Sequence, residues 1–416
     1  MRALTPQAEA CATQAIPTVP AITRPDPQCC YYVGVRTFDV VIVGGGIIGG
    51  SIAFDLAQRN LRVAVLDRQE PMREASWAAA GMLSPAPDSL AAIPLVPLGR
   101  ASLAIYPKFI ESVEAASGLH CGFRSDGTIE VIFRGEADRE LSTLVALYHG
   151  IGLACEPLPV EEAKSMEPAI GRGAQAAAFL PDECSVQPRA LISAVLAAAA
   201  SNGATIHEGV EVQSLTLDKK KCVGVRTTGG EMFYAAHVVI AAGCWSSQIP
   251  TLATLAPTVP VRGQMVALRH SGKPIRHVLR SERGYLVPRA MENPQTVVVG
   301  STIENAGYEK RNTSGGVEKI LSATNEIAPE LAGAEIIETW CGLRPGTPDQ
   351  LPILGPADIE GLMLATGHYR NGILLAPITA TLIGEWISEG RPSIDCEIFS
   401  PLRFQQGGAN HSATSS

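Results

Sequence analysis

The alternation of apolar and polar positions predicts a strand, a helix and a second strand beginning at about Phe38. Residues 40–43 form a continuous apolar run, as in a parallel strand that is buried on both faces. The helix that follows places Ile48, Ile52 and Leu56 on one face. Residues 63–66 then predict a second buried strand, so the segment is typical of a β-α-β unit.

Three further segments predict more of the same parallel layer. They are an Ala-rich helix and short strand from residue 188, a strand at 237–243, and a strand, glycine loop and long helix at 361–390. The intervening sequence differs. Asp126-Gly127 predicts a hairpin turn, and strands are predicted at 263–269, 284–288 and 296–300. These favour an antiparallel sheet that is inserted in pieces.

The predicted fold class is therefore α/β, with a Rossmann-like dinucleotide-binding domain interleaved with an α+β domain on an antiparallel sheet. The prolines and polar residues at the two ends predict a flexible extension and a disordered tail. The predicted ranges are 37–85, 185–250 and 338–400 for the dinucleotide-binding domain, 86–184 and 251–337 for the second, substrate-binding domain, 1–36 for the extension and 405–416 for the tail.

The turn after the first strand carries a glycine fingerprint. Gly44, Gly46 and Gly49 match G-x-G-x-x-G, in which the glycines allow a tight turn, a close approach to a pyrophosphate and helix–strand packing. The helix that starts at this turn offers N–H groups and a positive dipole end to a diphosphate. Asp67, at the end of the second strand, is placed to accept hydrogen bonds from an adenosine ribose. The fingerprint predicts an adenine dinucleotide but does not distinguish FAD from NAD.

Composition narrows the possible partners. A length of 416 residues with 46% hydrophobic and 18% charged residues predicts a globular protein with two domains. A net charge of −8 without a dense basic cluster argues against a nucleic-acid partner. No stretch approaches about 18 uninterrupted apolar residues, so no membrane span is predicted. The ten scattered cysteines have no metal-ligand spacing and predict reduced thiols in the cytoplasm.

Three sequence strings carry a family resemblance. They are Ala-Ala-Ala-Gly-Met-Leu at 78–83, Thr-Trp-Cys-Gly-Leu-Arg-Pro at 339–345, and Gly-His-Tyr-Arg-Asn-Gly-Ile-Leu-Leu-Ala-Pro at 367–377. With the fingerprint, they resemble the D-amino-acid oxidase superfamily of FAD-dependent oxidoreductases, and most closely the bacterial glycine oxidases of thiamin thiazole synthesis. The resemblance covers roughly residues 38–401.

The resemblance implies an activity. It implies oxidative deamination of glycine, and of other small amines such as sarcosine or small D-amino acids, to glyoxylate, ammonia and hydrogen peroxide. Hydride passes to flavin N5, and O₂ reoxidises the flavin. It also implies a role in thiamin thiazole synthesis and a homo-oligomer, possibly a tetramer.

The resemblance also implies which residues hold a non-covalent FAD. Gly372 opens a helix whose positive end would face the pyrimidine edge of the flavin. The implied cofactor residues are Gly44, Gly46, Ile47, Ile48, Gly49, Asp67, Arg68, Ser76, Ala79, Ala80, Gly81, Met82, Val212, Ala242, Gly243, His368, Arg370, Asn371, Gly372, Ile373 and Leu374.

Three residues are implied for the substrate. Arg344 matches the family's carboxylate clamp, a task for which the planar guanidinium fork is well suited. Tyr285 matches a pocket hydroxyl, and Arg370 matches a second arginine at the pocket and flavin edge. Cys341 is interpreted as an ordinary packed thiol.

Two departures from the family leave the substrate open. Arg283 stands where close relatives often have His, and Ile303 where a pocket Met is expected. The alternatives are a sarcosine oxidase, a D-amino-acid oxidase or dehydrogenase, a flavin-binding protein without catalytic activity, and an NAD-dependent dehydrogenase.

Overall fold

The structure, a computed structural model, describes residues 36–71, 73–87, 89–289 and 295–405. The predicted N-terminal extension lies outside the described residues except for Arg36, and the predicted tail lies outside them except for Gln405. Arg36 belongs to the first strand, which therefore begins two residues before the predicted position at Phe38.

The described residues form eighteen strands and eight α-helices. The strands are β1 Arg36–Val43, β2 Val63–Leu66, β3 Met82–Leu83, β4 Thr128–Ile132, β5 Glu156–Leu158, β6 Ala176–Leu180, β7 Cys184–Ser185, β8 Thr205–His207, β9 Val212–Asp218, β10 Lys221–Thr227, β11 Met232–Ile240, β12 Val259–Arg269, β13 Val278–Ser281, β14 Gly284–Pro288, β15 Thr296–Gly300, β16 Glu335–Gly346, β17 Ile353–Pro356 and β18 Leu362–Thr366. The α-helices are α1 Ile47–Gln58, α2 Ala75–Ala78, α3 Val96–Ser117, α4 Ala137–Gly150, α5 Val160–Met166, α6 Pro188–Ser201, α7 Ser314–Ile327 and α8 Gly372–Glu389. Short 3₁₀ helices span Leu90–Leu95, Gly243–Gln248, Pro329–Gly333, Glu397–Phe399 and Pro401–Phe404.

The first sheet has a parallel centre. Its order is β17-β18-β11-β1-β2-β8, in which β1 pairs in parallel with both β11 and β2. β8 and β18 extend the parallel set, while β17 and the β9–β10 hairpin pair antiparallel at its margins. The four segments predicted from sequence thus do form one parallel layer.

Helices cover one face of this sheet. Val40 and Ile42 of β1 pack in one hydrophobic cluster with α1, α3, α6 and α8. Ile48, Ile52 and Leu56 are buried in that cluster, which confirms the predicted inner face of α1.

Helix α3 was not predicted, although it is one of the longest elements. It lies in the range 86–184 that was predicted to belong to the substrate-binding domain, but its buried face joins the cluster of α1, α6 and α8. Within the described ranges, one helical run, Leu90–Ser117, is long and apolar enough to cross a membrane by length and composition. Tyr106 and Ser102 of this run donate hydrogen bonds to backbone carbonyls of α8, so it packs as a core helix of this fold.

The second sheet has the order β16-β12-β15-β14-β13-β4-β6-β5. Its pairs are antiparallel except β13–β4, which is parallel. The strands predicted at 263–269, 284–288 and 296–300 are confirmed within β12, β14 and β15. The hairpin predicted at Asp126-Gly127 is wrong: Gly127 does turn the chain with a φ of +81°, but β4 pairs with β6 and β13, far away in sequence.

The chain passes between the two sheets several times, which confirms the predicted fold class. β1 and β2 lie in the first sheet, β4–β6 in the second, β8–β11 in the first, β12–β16 in the second, and β17 and β18 in the first again. The domain limits themselves stay a prediction.

Candidate cofactor and substrate site

One cavity of about 720 Å³ receives residues from both sheets. It collects most of the residues that were assigned from sequence. Those that line it are Gly44, Gly46, Ile47, Ile48, Asp67, Arg68, Ser76, Ala79, Ala80, Gly81, Met82, Val212, Ala242, Gly243, Tyr285, Arg344, His368, Arg370, Asn371, Gly372 and Ile373. Gly49 and Leu374 do not line it.

The glycine turn forms one end of the cavity from main chain. Gly44 has a φ of +109°, a conformation that favours glycine, and its N–H donates to the Leu66 carbonyl at 2.8 Å. The N–H of Ile47 donates to Ser76 Oγ at 3.0 Å. Helix α1 begins here, and Gly46, Ile47 and Ile48 line the cavity, so the positive end of the helix dipole lies at the cavity wall.

Asp67 supports this turn. Its Oδ2 accepts from the Gly45 N–H at 2.7 Å and its Oδ1 from the Gln69 N–H at 3.1 Å. Burial raises the pKa of this carboxyl. The contact with ribose predicted for Asp67 stays a prediction, and these bonds assign it a second task, which is to fix the glycine turn.

An aromatic ring that sequence reasoning missed lies beside Arg68, the residue that follows Asp67. The Arg68 guanidinium carbon lies 4.0 Å from the ring centroid of Trp245, and Arg68 also pairs with Glu74 at 3.0 Å. Trp245 lines the cavity. Its proximity in sequence to the Ala242-Gly243 signature was the signal that could have found it.

The loop between β18 and α8 forms another wall. His368 is buried, and its Nε2 lies 3.1 Å from Thr379 Oγ1. Burial lowers the pKa of His368 to about 3, so the imidazole is neutral at physiological pH. Helix α8 then begins at Gly372 without a side-chain cap on Asn371, which again directs a positive helix end at the cavity.

Leu374, assigned to the cofactor, is directed elsewhere. Its side chain belongs to the core cluster, and its carbonyl accepts from Ser102 Oγ of α3 at 2.5 Å. Gly49 is also enclosed by protein, since a Cβ built on it would lie 1.9 Å from the Gly44 carbonyl oxygen. Gly49 therefore lets α1 pack closely on the turn and on Ile42 of β1, and its assignment to the cofactor stays a prediction.

The substrate wall is built from side chains of the second sheet. The Arg344 guanidinium donates to Ser301 Oγ at 2.8 Å and to the Thr302 carbonyl at 3.1 Å. The Tyr285 hydroxyl donates to Met265 Sδ at 3.5 Å, and Tyr285 pairs with Gly300 in the β14–β15 register. Arg344 and Tyr285 therefore converge on the end of β15.

Two glycines that sequence reasoning missed keep this wall open. A Cβ built on Gly263 would lie 2.3 Å from both terminal nitrogens of Arg344. A Cβ built on Gly300 would lie 3.1 Å from the Tyr285 hydroxyl. Any side chain there would displace a predicted substrate contact, yet neither glycine belongs to a recognisable string.

The residues that depart from the family also reach the cavity. Arg283 lines it, but its Nη1 donates to Glu326 of α7 at 2.9 Å. Ile303 lines it with 59% of its surface exposed, and Arg370 lines it as an exposed side chain. Cys341 does not line the cavity, and burial raises the pKa of its thiol, in keeping with a packed role.

The cavity fits a flavin dinucleotide. Gly44 lines it, and a Cβ built on Gly44 would lie 2.4 Å from the Ala241 carbonyl oxygen, so the main chain at this end is packed too closely to admit a side chain there. Two helix N-termini reach the cavity, one suited to a diphosphate and one to a ring that gains negative charge on reduction.

Comparison with known proteins agrees with this geometry. The chain is 35% identical over 370 residues to glycine oxidase from Geobacillus kaustophilus, covering 88% of this chain and 97% of that protein. It is 34% identical over 374 residues to the bifunctional protein ThiO/ThiG from Trichormus variabilis, covering 89% of this chain and 56% of that protein, so it spans about half of that relative's length. The crystal structure of glycine oxidase from Geobacillus kaustophilus superposes with a TM-score of 0.83 at 33% identity, covering 89% of this chain and 99% of that one.

A family model covers most of the chain. The model for DAO, described as FAD dependent oxidoreductase, matches residues 39–386. The chain therefore belongs to the DAO family of FAD-dependent oxidoreductases, and the predicted cofactor FAD is confirmed.

Proposed function

We propose that the protein is an amino-acid oxidase of the glycine oxidase type. One glycine, one O₂ and one water give one glyoxylate, one ammonia and one hydrogen peroxide. The observation that carries this proposal is the convergence of Arg344 and Tyr285 on the end of β15, in the cavity that the glycine turn also lines. The similarity to glycine oxidase from Geobacillus kaustophilus supports it.

The substrate carboxylate is the group that these side chains recognise. Arg344 offers a planar fork of donors that matches both carboxylate oxygens, and Tyr285 adds a hydroxyl donor. Ser301 and the Thr302 carbonyl fix the guanidinium in place, so little side-chain freedom is lost on binding.

FAD, when bound, would supply the acceptor for the hydride from the substrate Cα and the route of the electrons to O₂. The residues assigned to it from sequence that line the cavity would hold it, with the N-terminus of α1 at the diphosphate and that of α8 at the ring. The proposed task of the chain is to orient the amino acid, and His368 is a poor base, since it is buried with its pKa lowered to about 3 and its ring nitrogen lies against Thr379.

The wider setting follows as part of the same proposal. We place the enzyme in the cytoplasm as a homo-oligomer, with thiamin thiazole synthesis as the pathway. The similarity to the bifunctional protein ThiO/ThiG supports that pathway.

A hydrogen peroxide assay across glycine, sarcosine, D-alanine and D-proline tests the proposal. We expect glycine to be turned over at a rate comparable to or above the others. Much faster turnover of D-alanine or D-proline would replace glycine with a D-amino acid as the substrate. A yellow protein whose flavin no amine bleaches without oxygen would be a flavin-binding protein without this activity.

A further inference from the structure

The cavity continues beyond Tyr285 to a second polar wall. In the β13–β14 register Arg280 lies opposite Tyr285, and in the β13–β4 register it lies opposite Glu130. Residues directly opposed in neighbouring strands point to the same face of a sheet. Glu130, Arg280 and Tyr285 therefore form a row across three strands, and all three line the cavity.

The donors of Arg280 are directed at protein partners. Its Nε donates to Glu130, its Nη1 to Glu183 at 3.2 Å, and its Nη2 to the Tyr148 hydroxyl at 2.9 Å. Ser84 also donates to Glu183, at 2.5 Å. Arg280 is thus a support for the carboxylates around it rather than a site for a further anion.

This wall carries one negative charge in excess. Two carboxylates surround one guanidinium, and Glu183 is 4% exposed, does not line the cavity and is bonded to Arg280 and Ser84. Glu130 is 15% exposed and does line the cavity. Glu130 is also bonded to Arg280, through Oε2, but of the two carboxylates it is the one that the cavity reaches.

An apolar surface lines the cavity next to Tyr148, whose hydroxyl Arg280 also contacts. Leu144 and Leu147 of α4 line the cavity beside Tyr148. A wall with aliphatic side chains and a carboxylate suits a substituent with a methylene stem and a positively charged end. Glycine has no such substituent, so binding glycine leaves this part of the cavity unused.

We propose that Glu130 determines substrate specificity by selecting α-amino acids whose side chain ends in an ammonium group. The proposal rests on the proposed function, because Arg344 and Tyr285 are taken as the carboxylate anchor. Glu130 lies two strands from Tyr285, or about 10 Å between their Cα atoms. The Glu130 side chain and a four-atom substrate side chain together span that distance.

The chemical step is the same as for glycine. The bond from Cα to hydrogen breaks, and one amino acid, one O₂ and one water give one 2-oxo acid, one ammonia and one hydrogen peroxide. The terminal ammonium takes no part in the reaction.

Ornithine and norleucine test the selection, because their side chains have equal length and differ in a terminal ammonium or methyl group. With the FAD-loaded enzyme, we expect kcat/KM for ornithine to exceed that for norleucine at least tenfold, in whichever enantiomer is oxidised. A hydrogen bond to a charged group is worth roughly 1.5–3 kcal/mol, which corresponds to that factor or more. In Glu130→Gln the ratio should fall at least tenfold.

The variant and its control separate charge from shape. The Glu130→Gln amide keeps the size of the side chain and an oxygen that can accept from Arg280, and any general loss of activity cancels in the ratio of the two substrates. Glu156→Gln is the matched control, since Glu156 is exposed on β5 of the same sheet and does not line the cavity. It should leave both the ratio and the glycine rate unchanged.

Each outcome decides the proposal. An unchanged ratio in Glu130→Gln, a preference for norleucine, or failure of both amino acids to be oxidised or to compete with glycine would overturn the role of Glu130. If ornithine is oxidised in a manner that depends on Glu130 while glycine is not oxidised, the assignment of Glu130 stands and glycine fails as the substrate.

Discussion

The two ends of the cavity are formed by different parts of the chain, main-chain atoms at one end and side chains at the other. At the glycine turn after β1 the wall is main chain, held by bonds such as the one from the Gly45 N–H to Asp67. At the end of β15 the wall is side chain, held by bonds such as the one from Arg344 to Ser301. A backbone site needs glycines at fixed spacing within one segment, whereas a side-chain site needs strands from distant segments in register.

This difference predicts separate failures. Changes in the backbone site should release the cofactor, since a displaced turn loses its N–H groups as a set. Changes in the side-chain site should weaken binding of the amino acid while the cofactor stays bound. The following variants test that separation.

Gly49→Ala should have the largest effect. The added Cβ would lie 1.9 Å from the Gly44 carbonyl oxygen, a backbone atom that cannot move without deforming the turn. We expect the purified variant to contain little or no FAD, measured by its flavin absorbance. Gly50→Ala is the control, because its Cβ meets only side-chain atoms of Leu196 and Val195 at 3.1–3.2 Å and should leave FAD bound. Full FAD content in Gly49→Ala would contradict the prediction that changes in the glycine turn release the cofactor.

Arg344→Ala should come next. Loss of two charge-assisted hydrogen bonds, at roughly 1.5–3 kcal/mol each, lowers kcat/KM for glycine by about 10²–10⁴ while FAD stays bound. Steady-state peroxide kinetics and the flavin spectrum measure the two effects. Arg311→Ala, at an arginine that is 67% exposed, should change neither. Near-normal kinetics in Arg344→Ala would rule it out as the carboxylate anchor.

The same difference explains what the sequence could predict. The glycine turn and the loop before α8 are contiguous strings whose local chemistry is specific, so these segments could be found without a structure. Strand register alone brings three other residues to the cavity, namely Glu130, Arg280 and Gly263. None of them belongs to a sequence motif that could have identified it.

The wrong hairpin and the missed helix α3 have local causes. Asp126-Gly127 has the chemistry of a hairpin turn, but tertiary pairing sends β4 to β6 instead. Helix α3 was missed because it contains Pro107, and because Pro residues at 94 and 97 obscure its start.

A substitution of His368 tests whether this buried side chain contributes to the stability of the loop between β18 and α8. Its folded pKa of about 3 lies below the ordinary value near 6.5, so the unfolded chain binds a proton first as the pH falls. The stability that depends on neutral His368 is fully present above pH 6.5 and is lost on acidification by about 1.4 kcal/mol per pH unit, until about pH 3. In His368→Gln, the decrease in unfolding free energy from pH 7 to pH 5 should therefore be smaller by about 2 kcal/mol. Denaturant melts at both pH values measure it, with the exposed His120→Gln as control; an unchanged decrease would contradict the buried neutral imidazole.

Tyr285→Phe should have the smallest effect. It separates the contribution of the Tyr285 hydroxyl to substrate binding from that of Arg344. It removes one hydroxyl donor and leaves the ring packed beside Met265, so we expect kcat/KM for glycine to fall about tenfold, as for one hydrogen bond to a charged group. If Tyr285 only anchors the carboxylate, KM rises and kcat is kept, because the bond is equally strong in the bound substrate and the transition state. Tyr234→Phe, on β11 and away from the cavity, is the control and should leave both constants unchanged. A fall in kcat at constant KM would instead give Tyr285 a part in the transition state, and the substrate wall would then do more than hold the carboxylate.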